Sequence, residues 1–565
     1  MKVIKENQKN AEIKISVLIS TFNKREFIDK TLDSLLQQTM NKSEFEIILV
    51  DDCSTDDTLD IVSSIIDKFE NYKLVQLDAN SGTPAKPRNL SIDLSIGKYI
   101  IFVDGDDWLP NNALEILYNL IDRNNTDYAA GLTKYVFDNK IGRAGVALSK
   151  INQDNADIVN IRKSFYHLAP AGRIIRSSII KDNKILFPEM IFGEDLQFFA
   201  DVLLNVSKIS TTKEVVYCAN RYSENKSLVR TEASTLINRM NLQMNAYQYL
   251  LNKHKNNKTF KNVLVRIINK DILENKFFDK RFLKDFDELL ATLQKSLKII
   301  EKDFNAINYA DDELNKYAIK LIQEGDKDKI YDFLSWYRKK DDVGYVIKNN
   351  ITYYKYRDHL FKKKLHVRLD TIINKDKKTI LELSSYNSEI MFLEIKHRKY
   401  PEQFKVIKIK KKKFKRNKYT VEFNTNDLPE GKLALTVLDN DLNSIVIKTG
   451  FPNGFYETVN GNLGFINKKE QSYLKEFDKY KGRKTKKLAI AKGIVQTEDG
   501  KGIPVRKWSG DDQGNPTFKN KHDDDIPNNS TIYIYATTKD GWARINSSTY
   551  KGWINLEKVQ ITEVY

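Results

Sequence analysis

The sequence predicts an α/β protein: a parallel sheet flanked by helices in its N-terminal part, followed by helices and then by strands. Three observations carry this reading. Four short apolar runs alternate with stretches of helical period between residues 15 and 103. Two of those runs end abruptly in clustered carboxylates, Asp51-Asp52 and Asp104-Gly105-Asp106-Asp107. Beyond about residue 350 the apolar period changes from helical to alternating.

The elements follow in order. Ile15 to Ser20 is a short buried strand, and Thr21 to Arg25 turns. Phe27, Ile28, Leu32, Leu35 and Leu36 then repeat at helical spacing. Phe45 to Val50 is the second strand, and Ser54-Thr-Asp-Asp57 reads as a capping box opening a helix with Leu59, Val62, Ile66 and Phe69 on one face. Leu74 to Leu77 is the third strand. Asn80 to Asn89 is a loop into another helix, and Ile100 to Val103 is the fourth strand. Runs of this kind, largely apolar and bounded by turn residues, suit strands buried on both faces of a parallel sheet. Ligands bind at the carboxyl ends of such strands. If the two carboxylate-ended strands are neighbours, both clusters line one crevice, and that much negative charge calls for a cation or donors. Carboxylates are hard oxygen ligands suited to Mg²⁺ or Mn²⁺. No G-x-G-x-x-G or P-loop pattern follows any strand, which disfavours dinucleotide folds and P-loop kinases.

Bulk properties narrow the class. A chain of 565 residues is too long for one core, and roughly three or four domains are expected. The domains read as 1–230, the α/β part; 231–349, a helical linker; 350–478, a basic β-sandwich; and 488–565, a last strand-rich unit reached through a basic linker at 479–487. Two cysteines, Cys53 and Cys218, exclude a disulfide framework and a Cys-rich metal site. Met1 to Ala11 is polar, without a signal-peptide core, and no apolar run is long enough to span a bilayer. The expected location is the cytoplasm, with any membrane contact peripheral. The 93 Lys+Arg against 76 Asp+Glu leave a net charge of +17. That excess fits either a lysine-rich solvated surface or an anionic partner. Nucleic acid is disfavoured, because no RNP, zinc or helix-turn-helix pattern accompanies the charge.

Val17-Leu-Ile-Ser-Thr-Phe-Asn23, Ile48 to Asp56, the Asn80 to Asn89 loop and Phe102-Val-Asp-Gly-Asp-Asp107 resemble, in order and spacing, the signature series of family 2 inverting glycosyltransferases. The resemblance covers about residues 12–230 and implies a GT-A fold, Rossmann-like, with a nucleotide-sugar donor. It implies that Ser20, where the family often has Pro, borders the uracil or ribose with Thr21. By the same resemblance Asp52 accepts from the uracil ring, Asn80 and Arg88 reach the base and phosphates, and Asp104 with Gly105 meets the ribose. Asp106 then holds a divalent metal, Mn²⁺ or Mg²⁺, on the diphosphate, and Asp107 is the least defined of the three carboxylates. Cys53, where the family often has Gly, reads as a small substitute and not a nucleophile.

Glu194-Asp195 precede an apolar helix (Leu196, Phe198, Phe199, Val202, Leu203). A carboxylate there is stabilised by the helix dipole, so plain capping is one reading. The family supplies its catalytic base at this point, and Asp195 matches it. His167 to Arg173 forms a turn whose basic residue could meet an acceptor phosphate, or whose histidine is merely packed. Arg221 to Arg230 resembles the segment that brings positive groups over the donor diphosphate; Arg221 and Asn225 are its candidates, with Arg230 behind them.

Lys405 to Lys418 carries nine basic residues around one strand. It reads either as an edge guarded by lysines or as a docking strip for a polyanion. The Gly-Trp steps at 541–542 and 552–553 resemble a bacterial SH3-like barrel, in which Trp508, Trp542, Trp553, Tyr533 and Tyr535 serve as core or as a binding face. The whole order is similar to the poly(ribitol phosphate) N-acetylglucosaminyltransferases of wall teichoic acid synthesis. That implies a UDP-N-acetylglucosamine donor, an anionic polyol-phosphate acceptor and a homotrimer joined through the C-terminal β domains. A glycosyltransferase for capsular or other surface polysaccharide and a wall-polymer-binding protein without turnover are the competing readings.

Overall fold

A computed structural model describes residues 1–9, 12–225, 235–340, 345–348, 351–362, 367–375, 378–385, 389–413, 417–448, 455–457, 463–467, 491–495, 506–510, 516–520, 526, 529–537, 542–546 and 551–564. Two compact units emerge: Met1–Gly325 with Tyr400–Glu402, and Asp326–Lys399 with Gln403–Tyr565.

The first unit is organised on a ten-stranded mixed sheet. After β1 (Lys2–Gln8), the chain alternates β2 (Ile15–Thr21), α1 (Ile28–Leu36), β3 (Phe45–Asp51), α2 (Thr58–Ile65), β4 (Asn71–Gln76), α3 (Ala85–Leu94) and β5 (Tyr99–Asp104). Strands β4, β3, β2 and β5 pair in parallel in that spatial order, as the βα alternation predicts. The expected apolar faces are the buried ones: Ile28, Leu32 and Leu35 on α1, Val62 on α2 and Ile66 just past its end are fully buried beneath the sheet strands.

Three readings need correction. The two carboxylate-ended strands are not neighbours, because β2 runs between them, with Thr21 opposite Asp51 and Ser20 opposite Asp104. Ser54 is not a capping-box residue. Its N–H donates 2.9 Å to Asp51 Oδ2, while Asp56 accepts at 3.0 Å from the N–H of Thr58, the first residue of α2. The polar N-terminus, read only as lacking a signal peptide, forms edge strand β1, antiparallel to β4. Its charged side chains suit a sheet edge.

The sheet is completed through α4 (Ala113–Arg123), β6 (Tyr128–Val136), β7 (Ile141–Ala144), α5 (Val146–Ser149), β8 (Gln153–Asp157), β9 (Arg173–Arg176), α6 (Ser177–Asp182), α7 (Glu194–Leu204) and β10 (Lys208–Asn220). Its order is β1-β4-β3-β2-β5-β9-β6-β10-β8, with β7 on β6. The helices α8 (Leu236–His254), α9 (Phe260–Arg266), α10 (Phe286–Glu301) and α11 (Glu313–Glu324) belong to this unit. They are tied to it by buried polar bonds, among them Arg266 to the carbonyl of Phe165 at 2.6 Å. Among the described residues no helix is long and apolar enough to cross a membrane.

The second unit opens with α12 (Lys327–Lys339) and is otherwise rich in strands, in sheets of three, ten and seven. In the ten-stranded sheet, alternation does place a buried core: Leu381, Leu383, Leu393, Ile395, Leu433, Leu435 and Val437. The lysine run is partly neutralised. Lys405 pairs with Asp427 and Lys418 with Asp370, at 2.8 and 2.7 Å, and Lys411 and Lys412 pair with Glu389 and Glu382. This favours the guarded edge over an open docking strip. Residues 479–487 and the side chains of Trp508, Tyr533, Tyr535, Trp542 and Trp553 lie outside the described residues.

Candidate active site

The carboxyl ends of β3, β2 and β5 form the floor of the site. Asp51 and Asp52 part company there. Asp51 is fully buried and consumed by structure: its carboxylate accepts from Ser54 N–H and, at 3.2 Å, from Gln76 Nε2. Asp52 turns to the loop before α3. It accepts from Ser81 N–H at 2.9 Å, Ser81 Oγ at 2.9 Å and Asn80 Nδ2 at 3.1 Å. Burial raises its pKa, and the two Ser81 bonds oppose the rise. Asn80 is thus a partner of Asp52, as well as bracing its own turn through Gly82 N–H. Cys53 stands between these carboxylates and the loop at φ +62°, a left-handed conformation that glycine adopts without cost. The expected Gly-for-Cys exchange therefore has a backbone cause.

Gly105 lets β5 approach β2. Its N–H donates 3.2 Å to Ser20 O, and a Cβ there would come within 2.8 Å of Thr21 Oγ1. The three surrounding carboxylates differ sharply. Asp107 is 4% exposed and faces inward, accepting from Tyr217 OH at 2.8 Å and Asn220 N–H at 2.7 Å. Burial, then the nearby Asp104 and Asp106, push its pKa well up. Tyr217 OH also accepts from Asp104 N–H at 3.2 Å, so the ends of β5 and β10 are locked together. Asp107 is therefore a brace. Asp104 and Asp106 are more open, with side chains 35% and 17% exposed.

Arg88, expected on base and phosphates, is held among carboxylates at the strand ends. Its guanidinium is 7% exposed and donates 2.9 Å to Asp104 Oδ1 and 2.8 Å to Asp195 Oδ1, with Glu194 Oε1 at 3.5 Å. It also stacks 5.2 Å from the centre of the Phe187 ring. Burial alone would lower its pKa, but Asp195, Asp104 and Glu194 raise it further. Arg88 thus links the strand-end carboxylate to the helix-borne one.

Asp195 lies in the first turn of α7, which starts after Gly193 at φ +92°. No capping bond is made by the Gly193 side, and Asp195 spends its carboxylate on Arg88 instead. Burial raises its pKa and Arg88 opposes the rise, while burial and Asp195 lift Glu194 to about 7. Six residues on, Asp201 is 1% exposed and accepts from Tyr249 OH at 2.8 Å, Lys253 Nζ at 2.8 Å and His254 Nε2 at 2.7 Å, all on α8. The helix carrying Asp195 is therefore anchored by α8.

The remaining candidates separate. Asn225 is 8% exposed and donates 2.9 Å to Asp106 Oδ2. Arg221 is exposed and lies 4.7 Å over the Tyr135 ring, with its guanidinium 2.6 Å from Asn220 O. Arg230 lies outside the described residues. The acceptor-phosphate reading of the 167–173 turn fails. Arg173 is 3% exposed and held by the carbonyls of His167, Ala169 and Ala171. His167 is kept neutral by burial first and then by Arg173. Sequence reasoning missed Lys24, whose ammonium sits 2.7 Å from Asp106 Oδ2. Its only sequence signal is position, in a loop at the carboxyl end of β2.

Does this site suit a divalent cation? Among the described residues no group of three or more His, Cys, Asp or Glu forms a cage. Asp106 is a hard oxygen donor whose Oδ2 is held by an ammonium and an amide. That fits Mg²⁺ or Mn²⁺, which take most of their ligands from phosphates and water.

A mixed sheet of this order, with pocket-facing carboxylates at parallel strand ends and a further carboxylate on a facing helix, is the architecture of a GT-A-like glycosyltransferase domain. The profile of glycosyl transferase family 2 matches residues 16–182. A poly(ribitol-phosphate) beta-glucosyltransferase of Bacillus spizizenii is 36% identical over 206 residues, 36% of this chain and 32% of that protein. TarP of Staphylococcus aureus, a poly(ribitol-phosphate) beta-N-acetylglucosaminyltransferase, is 33% identical over 228 residues, 38% of this chain and 67% of TarP. The crystal structure of S. aureus TarS 1-349 with UDP-GlcNAc matches with a TM-score of 0.52 at 25% identity, covering 62% of this chain and 99% of that one. A longer TarS structure shares the fold over 98% of this chain and 96% of its own, at a TM-score of 0.51 and 20% identity. The chain belongs to glycosyl transferase family 2. It spans about a third of the length of the Bacillus relative.

Proposed function

We propose that this protein transfers a sugar, N-acetylglucosamine as the first choice, from a UDP-sugar to hydroxyls of a poly(ribitol phosphate) chain, with inversion at the anomeric carbon. The observation that carries the reading is the Arg88 bridge: Asp195 stands on α7 opposite Asp104 and Asp106, tied to the strand end at 2.8 and 2.9 Å. A donor bound over the strand ends would present its anomeric carbon between those groups. Asp52 would accept from the uracil N–H, Asn80 would orient Asp52, and Ser20, Asp104 and Gly105 would border the ribose. Asp106 would hold a divalent cation, which when bound neutralises the diphosphate leaving group. Arg221 would add positive charge beside it, and Asn225 would steady Asp106.

In the transfer itself, Asp195 takes the proton of the acceptor hydroxyl while that oxygen forms its bond to the anomeric carbon, and the bond to the UDP oxygen breaks. Partial burial suits Asp195 to the task, since a carboxylate with a raised pKa is a better proton acceptor. The donor assignment is supported by the UDP-GlcNAc in the similar TarS fragment, and the acceptor by the names of the relatives. Because those relatives include both a glucosyl- and an N-acetylglucosaminyltransferase, the sugar is the first point to test. The strand-rich second unit is assigned to polymer engagement and to homo-oligomer assembly, at the cytoplasmic face of the membrane.

UDP release should be measured over a panel of UDP-sugars, with and without poly(ribitol phosphate). The expected result is stimulation by the polymer with one N-acetylhexosamine donor, lost on replacing the polymer with a neutral glycan. Asp195→Asn keeps an acceptor for Arg88 and should lower turnover about 10²–10⁴-fold with UDP binding retained. Near-normal turnover in that variant sinks the base assignment.

A further inference from the structure

Lys24 stands outside the donor, metal and base assignments above, yet it makes the shortest contact of any described side chain with Asp106. Its backbone is fixed, the N–H donating 2.8 Å to Thr58 Oγ1. Its ammonium donates 2.7 Å to Asp106 Oδ2 and 3.1 Å to Asn225 Oδ1. Asn225 closes the triangle, donating 2.9 Å to the same Asp106 oxygen. The Lys24 and Asp106 side chains are only 22% and 17% exposed, so water screens the pair weakly.

Two consequences follow from this geometry. A carboxylate oxygen has two lone-pair sites, and both of those on Asp106 Oδ2 are engaged, one by the ammonium and one by the amide. A second cation on that oxygen would also stand against the ammonium, and like charges at contact distance repel strongly when shielded from water. We infer that Lys24 is an internal counter-cation for Asp106 that competes with a divalent metal for the carboxylate, so that Lys24 sets the metal affinity of the site. The inference rests on Asp106 being the metal ligand. Lys24 thereby offsets the charge of Asp106, and its fixed backbone keeps the ammonium beside that carboxylate.

The test uses the full chain free of UDP, titrated with Mn²⁺ while the unbound ion is followed by electron paramagnetic resonance. Lys24→Met keeps the stem and removes the charge, and it should bind Mn²⁺ about 5- to 20-fold more tightly than wild type. Lys24→Arg keeps the charge and should stay within about twofold of wild type. Asp106→Asn should lose the binding. If Lys24→Met binds Mn²⁺ no more tightly than wild type while Asp106→Asn abolishes binding, the role of Lys24 is overturned and the metal ligand stands. If wild type and Asp106→Asn bind alike, the ligand assignment falls and the inference falls with it.

Discussion

Arg88→Met tests the bridge on which the site depends. The substitution keeps a long apolar stem against Phe187 and removes the one cation shared by Asp104, Asp195 and Glu194. Removing one member of a buried ion pair costs about 3–5 kcal/mol. Here the abandoned Asp104 and Asp195 side chains are 35% and 27% exposed, so water takes up part of the loss. A cost of about 2–3 kcal/mol at pH 8 is expected, which lowers the melting temperature by about 4–8 °C. The pH dependence identifies the cause. Arg88 stays charged throughout, whereas Glu194, lifted to about 7, and Asp195, also raised, protonate as pH falls. A protonated carboxyl has no charge to lose a partner, so the gap between variant and wild type should narrow from pH 8 to pH 5. Scanning calorimetry across that range is the assay. A gap that is absent, or as large at pH 5 as at pH 8, would refute the charge-bridge account.

Three further outcomes follow from the same geometry. The rate of transfer should fall as pH drops towards the raised pKa of Asp195, because a base must be deprotonated to act; a rate that stayed level down to the onset of acid unfolding would exclude Asp195 as that base. Tyr217→Phe removes the hydroxyl that joins Asp107 to the backbone of Asp104, leaving a buried carboxylate short of a donor. It should cost about 1–3 kcal/mol in chemical denaturation and weaken UDP binding, and unchanged UDP affinity would show that the brace does not position the strand end. Cys53→Gly relieves a left-handed non-glycine residue at φ +62° and should change stability by no more than about 1 kcal/mol with activity retained, whereas a loss above about 2 kcal/mol would mean the thiol itself matters.

Much of this was legible in the residues. The apolar runs located all four parallel strands, since a strand buried on both faces is apolar at most of its positions. Strand order was not legible: nothing in Asp51-Asp52 or Asp104 to Asp107 says that β2 runs between them. Nor does composition separate the functions of adjacent acids. Asp51 and Asp107 are buried braces, Asp52 is buried on the loop before α3, and Asp106 is more open and bonded to Lys24, differences of burial and partner that the sequence does not carry. The Ser54 reading failed because a capping motif and an acceptor for a strand-end aspartate use the same residue types. The lysine run showed its charge but not its partners, as Asp370, Glu382, Glu389 and Asp427 come from elsewhere in the chain. Lys24 escaped for the same reason, its partners lying 82 and 201 residues away.

The anchoring of α7 has a consequence for how this protein could be taken apart and recombined. The match to the family profile ends at residue 182, before α7 begins at Glu194, and the side chains that grip Asp201 belong to α8, further on still. A chimera spliced at the profile boundary would inherit the strand-end carboxylates while taking the α7 carboxylate that Arg88 bonds from a stranger. Because Arg88 bonds across that boundary, the two halves are matched in charge and spacing. The transplantable piece therefore reaches at least through α8, and exchanging donor preference by swapping the shorter segment would yield a pocket without a partner for its arginine.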